Sequence, residues 1–231
     1  GSFDVIAEIK QRSPAEGKLG DCHPNTHSKG VSHLISRAMD YAAGGAAAIS
    51  VLTEPSRFDG ELAHLEEVVA AVPGTPVMRK DFLVEPVQVL EARKAGASGV
   101  LLITTMLSDA KLRAMLDCAF EHSMFVLLES FDEEDLRRSA SFLDADGDLL
   151  IGVNTRNLRT LEVDADRLQR LAPLLPDARC VAESGLRIAD DAARAKGWGY
   201  SMALVGTALM RSADPTALIK MMREAGSAAC S

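Results

Sequence analysis

Aromatic side chains are scarce in this chain, at 4% of 231 residues. A core must therefore be filled by Ala, Val, Leu and Ile, and 47% of the chain is hydrophobic. No apolar run approaches the ~18 residues of a membrane span, and no secretory signal pattern is visible. Cys22, Cys118, Cys180 and Cys230 form no CxxC pair and no regular spacing. The expectation is free thiols in a reducing cytoplasm, with no membrane attachment. Basic excess is missing too: a net charge of −8 and a pI near 5.2 exclude the field that nucleic acid or an anionic membrane requires. A few local cations still suffice for a small anionic substrate. No dinucleotide fingerprint, low-complexity linker or composition break marks a second domain.

What is present is alternation. Short apolar runs at 4–9, 46–51, 76–78, 98–103, 124–128, 149–153, 180–182 and 202–205 are separated by stretches with helical spacing. Those stretches lie near 30–43, 60–71, 85–95, 108–121, 132–139, 165–171, 187–195 and 214–225. Strands alternating with helices imply a parallel sheet with right-handed crossovers. Eight repeats at this length predict an α/β fold, a (β/α)8 TIM barrel forming one domain over residues 1–231. A doubly wound open sheet is the alternative, because periodicity does not show closure. Gly96 and the Gly197–Gly199 turn read as helix ends, Pro86 as a first-turn residue, and Asp214-Pro215 as a cap followed by N1.

In such a barrel, function collects at the C-terminal strand ends. There Glu8 and Lys10 share a face of strand 1, strand 3 ends in Lys80, and strand 5 ends in Glu129. Gly152, Asn154 and Arg156 share a face of strand 6 by the period of two. Strand 7 ends in Glu183-Ser184-Gly185 and strand 8 in Val205-Gly206-Thr207. Any one of these could be a structural ion pair; together they form a polar funnel above an apolar barrel. Closely packed Lys and Glu groups are candidates for acid–base work. Small residues and hydroxyls after strands 7 and 8 suit a phosphate.

Two other signals are weaker. The segment at 20–30 contains Cys22, His23 and His27, with His33 beyond, but matches no standard zinc spacing; a solvated loop and no metal are expected. Ser130 follows Glu129, yet no histidine lies at another strand end to activate it as a nucleophile.

At these residues the chain resembles the indole-3-glycerol-phosphate synthase family. The matching segments are IAEIKQRSP at 6–14, GGAAAISVLTE at 44–54, RKDF at 79–82, GVNTRNL at 152–158, AESG at 182–185 and LVGTALM at 204–210. The last two are shared by generic phosphate-binding barrels; the first four together are not. The resemblance implies a lyase of tryptophan biosynthesis that converts 1-(2-carboxyphenylamino)-1-deoxyribulose 5-phosphate to indole-3-glycerol phosphate, CO₂ and water, with no cofactor. It implies Lys80 as general acid and Glu129 as general base, with Glu8 and Lys10 assisting dehydration and binding the substrate carboxylate. Asn154, Arg156 and Glu183 would orient the substrate. Ser13, Ser184, Gly185, Val205, Gly206 and Thr207 would line its phosphate end, and Phe82 and Leu101 would pack on its ring. The expected protein is a cytoplasmic monomer or weak homodimer. Two departures stand out: strand 1 begins near residue 4, where the family carries an N-terminal extension, so most of that extension is expected to be absent, and the loop after strand 1 is longer. They leave two alternatives, a paralogous lyase of secondary metabolism acting on a related phosphorylated aryl-amino sugar, and a non-catalytic phosphate-ligand-binding subunit.

Overall fold

Strands that are apolar on both faces need cover on both, and this chain provides it by closing a barrel inside a jacket of helices. The computed structural model of the chain describes residues 1–13, 17–18, 32–156 and 162–229. Eight parallel strands run β1 Asp4–Ile9, β2 Ala48–Leu52, β3 Val77–Lys80, β4 Gly99–Ile103, β5 Phe125–Ser130, β6 Leu149–Asn154, β7 Cys180–Glu183 and β8 Met202–Val205. Each precedes its helix: α1 His33–Ala43, α2 Leu62–Ala71, α3 Pro86–Lys94, α4 Asp109–Glu121, α5 Glu133–Ala140, α6 Arg167–Leu171, α7 Ala189–Gly197 and α8 Pro215–Ala228. β1 pairs with both β2 and β8, so the sheet is closed and the open-sheet alternative fails.

Local chemistry sets the helix ends. Ser32, Ser108, Asp132 and Asp214 cap α1, α4, α5 and α8 through their side chains. Gly96 and Gly199 take the positive φ that lets the chain turn back toward the next strand, at 88° and 99°. Several strands run one or two residues past their apolar runs. β3 takes in Arg79 and Lys80, β5 Glu129 and Ser130, β6 Asn154, and β7 Glu183. Ladder hydrogen bonds do not depend on side-chain polarity, so pairing continues into the charged residues. Among the described residues no helix is long and apolar enough to cross a membrane.

The strand register builds the interior in layers. Ile6 lies opposite Leu204, Leu204 opposite Glu183, and Glu183 opposite Asn154, so partners climb the barrel from strand to strand. Side chains at one height therefore come from alternate strands. Three apolar or small layers fill the lumen: Ala48, Gly99, Leu150 and Met202; then Ile6, Met78, Leu127 and Val181; then Ser50, Leu101, Gly152 and Leu204. The next layer up is Glu8, Lys80, Glu129 and Glu183.

Gly152 is small because this charged layer rests on it. A Cβ there would lie 2.1 Å from Glu183 Oε1 and 3.1 Å from Leu127 Cδ1. Gly152→Ala is expected to displace Glu183 and cost about 1–3 kcal/mol in urea denaturation. Gly197→Ala, where nothing lies within 4 Å, should cost nothing or gain up to about 1 kcal/mol. Equal effects at the two sites would refute the steric reading.

Candidate active site

Lys80 stands at the end of β3, surrounded at its own height. Its Nζ lies 3.4 Å from Glu129 Oε2, 3.7 Å from Glu183 Oε2 and 4.0 Å from Glu8 Oε2. Lys10, one turn of the pleat above Glu8, places its Nζ 2.8 Å from Glu8 Oε1. Burying such groups is costly, and mutual attraction must offset the lost hydration. Burial opposes the charge on Lys80, but Glu129, Glu183 and Glu8 outweigh it and raise its pKa above the ordinary lysine value. Burial also opposes the charge on Glu8, but Lys10 and Lys80 hold its carboxyl below the usual range. Glu183 goes the other way. Burial, reinforced by the neighbouring Glu129 carboxylate, pushes its pKa well above the usual value. It is 1% exposed, and neither of its oxygens has a hydrogen-bond partner among the described residues. The surroundings therefore favour the neutral form of Glu183 and the charged forms of Lys80 and Glu8.

The residues above this layer divide the mouth into two lobes. On the β2 and β4 side, Leu52, Ile103, Leu101, Phe58 and Phe82 line a narrow space of about 100 Å³. On the β7 and β8 side, Ser184, Gly185, Gly206, Thr207, Arg187 and Arg211 line a wider one of about 640 Å³. Glu8, Lys10, Lys80, Arg156 and Ser184 border both. Gly206 has no room for a side chain: a Cβ would lie 2.3 Å from Glu8 Oε1 and 2.9 Å from Lys10 Nζ. Ser184 and Gly185 both adopt positive φ, 66° and 82°, a strained conformation for the serine.

Braces sit behind the mouth. Arg79, on the outer face of β3, donates to Thr53 Oγ1 at 3.1 Å and to Asp81 Oδ2 at 3.0 Å, while Thr53 donates to Asp81 at 2.6 Å. These bonds tie the ends of β2 and β3 on both sides of Lys80. Arg37 of α1 donates to the carbonyls of Leu209, Met210 and Ser212. It thereby closes the C-terminal end of the short helix Thr207–Arg211 that follows β8.

Most residues expected at the site are brought together here. Glu8, Lys10, Lys80, Glu129, Asn154, Arg156, Glu183, Ser13, Phe82, Leu101, Ser184, Gly185, Gly206 and Thr207 all line one lobe or both. Val205 is a correction. Its side chain belongs to the shell between barrel and helices, and Leu204 faces the lumen instead. The period of two places one of these neighbours outside when the other is inside. Cys22, His23 and His27, together with residues 14, 157 and 158 of the matched segments, lie outside the described residues. Among the described residues, no three His, Cys, Asp or Glu side chains are placed to hold a metal ion. Glu54, Arg57, Phe58, Arg187 and Arg211 line the lobes without having been singled out. The strand-end rule applied to strand 2 would have reached Glu54, which caps the short helix Pro55–Phe58.

A closed eight-stranded barrel with ionisable side chains gathered at its C-terminal mouth defines a (β/α)8-barrel enzyme. The comparisons narrow this further. The family model for indole-3-glycerol phosphate synthase matches residues 1–222. An indole-3-glycerol phosphate synthase from a Nocardioides species is 47% identical over 219 residues, 94% of this chain and 79% of the relative. One from Methanopyrus kandleri is 42% identical over 225 residues, 96% of this chain and 83% of the relative. Among solved structures, 3-hexulose-6-phosphate synthase from Salmonella typhimurium superposes with a TM-score of 0.72 over 97% of this chain and 98% of its own, at 14% identity, a likeness of fold alone. The chain belongs to the indole-3-glycerol phosphate synthase family.

The opposite shifts of Glu183 and Glu8 give opposite pH dependences. The folded protein keeps the proton on Glu183 above the ordinary value of 4.5. Stability from this group is therefore full below that value and is lost as pH rises through the elevated pKa. Glu183→Gln removes that loss, so its stability relative to wild type should improve from about pH 5 toward 8. Stability from Glu8 is present above the ordinary value and lost as pH falls through its lowered pKa. Glu8→Gln should therefore be destabilising at neutral pH. Urea denaturation across this range checks both, and Glu183→Gln being the more damaging change at neutral pH would contradict the assignment.

Proposed function

We infer that this site closes the indole ring of 1-(2-carboxyphenylamino)-1-deoxyribulose 5-phosphate, releasing CO₂ and water to give indole-3-glycerol phosphate. The observation that carries this reading is the position of Lys80 and Glu8 at the junction of an apolar lobe and a polar one. The substrate has the same division: a flat carboxylated ring at one end, a phosphate at the other, and the reacting ketone between them.

In this reading the ring packs against Phe82 and Leu101, and Lys10 holds its carboxylate. The phosphate lies among Ser13, Ser184, Gly185, Gly206 and Thr207, beside the start of the short helix that follows β8. Asn154, Arg156 and Glu183 orient the chain between them. The ring carbon bearing the carboxylate attacks the ketone carbon, and negative charge develops on the ketone oxygen. Lys80 faces that charge as a full cation, because the carboxyls around it keep it protonated throughout the working pH range. Its first contribution is electrostatic, and its proton then converts the alkoxide to a hydroxyl. Loss of CO₂ restores the aromatic ring. The hydroxyl then leaves as water, protonated on one side, while Glu129 removes a proton from the adjacent methylene carbon. Glu8 and Lys10 assist this step.

Mixing the protein with the carboxyphenylamino-deoxyribulose phosphate should produce indole fluorescence; no product at high enzyme concentration would sink the reading. Lys80→Ala should keep substrate binding and lose about 10²-fold or more in kcat. Glu129→Gln should lose about 10²–10⁴-fold. Near-normal turnover in either variant would refute that residue's role.

A further inference from the structure

Behind Glu129, on the side facing the helices, three hydroxyls meet. Ser139 of α5 places its Oγ 2.8 Å from Ser130 Oγ and 2.7 Å from Thr104 Oγ1, and all three residues are fully buried. Ser130 follows Glu129, and Thr104 follows Ile103; Ile103 and Glu129 lie opposite one another in the β4–β5 ladder. One helix side chain thus ties two adjacent strand ends together just beyond the charged layer.

A hydroxyl has one proton to give and two lone pairs. Ser139 can therefore serve both partners, donating to one and accepting from the other. Unbonded hydroxyls in an apolar interface cost free energy, whereas a bonded buried network enforces one geometry. The same helix grips the chain on either side. Asp135 accepts the Phe131 N–H at 3.2 Å, and Arg138 donates to the carbonyls of Thr104 at 3.2 Å and Leu107 at 2.9 Å. Helix formation itself does not call for a serine here, since alanine has the higher propensity. What the hydroxyl adds is the link to the residue beside Glu129.

We propose that Ser139 is a positioning residue: through Ser130 it fixes the main chain at Glu129 and so holds that carboxylate at its 3.4 Å spacing from Lys80. The proposal rests on Glu129 acting as the base. Proton transfer tolerates little displacement, a shift of about 1 Å costing roughly 100-fold in rate.

The test compares wild type, Ser139→Ala, Ser139→Thr and Glu129→Gln in steady-state kinetics across pH, with the deoxyribulose phosphate as substrate. Ser139→Ala should lower kcat about tenfold, leave KM within about twofold, and move the acid limb of the kcat/KM profile. Ser139→Thr keeps the hydroxyl and should recover most of the lost kcat. Wild-type kcat and pH profile in Ser139→Ala, beside an impaired Glu129→Gln, would overturn the positioning role whatever the change in Tm. Unimpaired Glu129→Gln would instead overturn the base assignment and the proposal with it. Should Ser139→Ala not fold, Ser130→Ala breaks the same link while leaving the Ser139–Thr104 bond, with the same expected and overturning results.

Discussion

One ammonium group held among three carboxyls at a single height of the barrel is the constraint that the mouth is built around. Lys80 cannot be buried as a cation without them, and the carboxyls cannot all be ionised beside one another. The arrangement favours the neutral form of Glu183 and holds Lys80 and Glu8, with Lys10 beside it, in their charged forms. The neighbouring positions then have little choice. Gly152 must be bare to admit Glu183, and Gly206 to admit Glu8 and Lys10.

The same layer divides the chemistry. Above it, even-numbered strands contribute Leu52, Ile103 and Asn154 to the narrow lobe, while Gly206, just after β8, borders the wider one. A substrate that is apolar at one end and anionic at the other therefore has one sensible orientation, with its centre over Lys80. The outer face of the barrel supports this indirectly. Arg79, Asp81 and Thr53 join the strand ends beside Lys80, and the hydroxyl link through Ser139 does the same beside Glu129. The mouth thus combines ionisable side chains on the inner face with bonds on the outer face of the same strand ends.

Much of this is legible in the sequence. Eight apolar runs alternating with helical stretches give the barrel, and the polar residue closing each run, such as Lys80, Glu129 or Glu183, gives the mouth. Closure is not legible, because it depends on β1 pairing with both β2 and β8. Which residues share a height is not legible either, since that follows from the climb of the register. Val205 packs between barrel and helices while Leu204 faces the lumen; in a strand that is apolar on both faces, composition does not distinguish inside from outside. The raised pKa of Glu183 comes from its burial and from Glu129 beside it, and Ser139 looks like an ordinary helix serine until α5 packs against β5 and the turn after β4. Both depend on contacts between residues far apart in sequence.

The neutral form of Glu183 is the claim most directly open to measurement. Difference infrared spectroscopy at neutral pH, comparing wild type with Glu183→Gln, reports whether a buried carboxyl is protonated. The expected result is a protonated-carboxyl band in wild type that disappears in Glu183→Gln and persists in Glu8→Gln. Absence of that band from wild type, or its survival in Glu183→Gln, would contradict this account of the site.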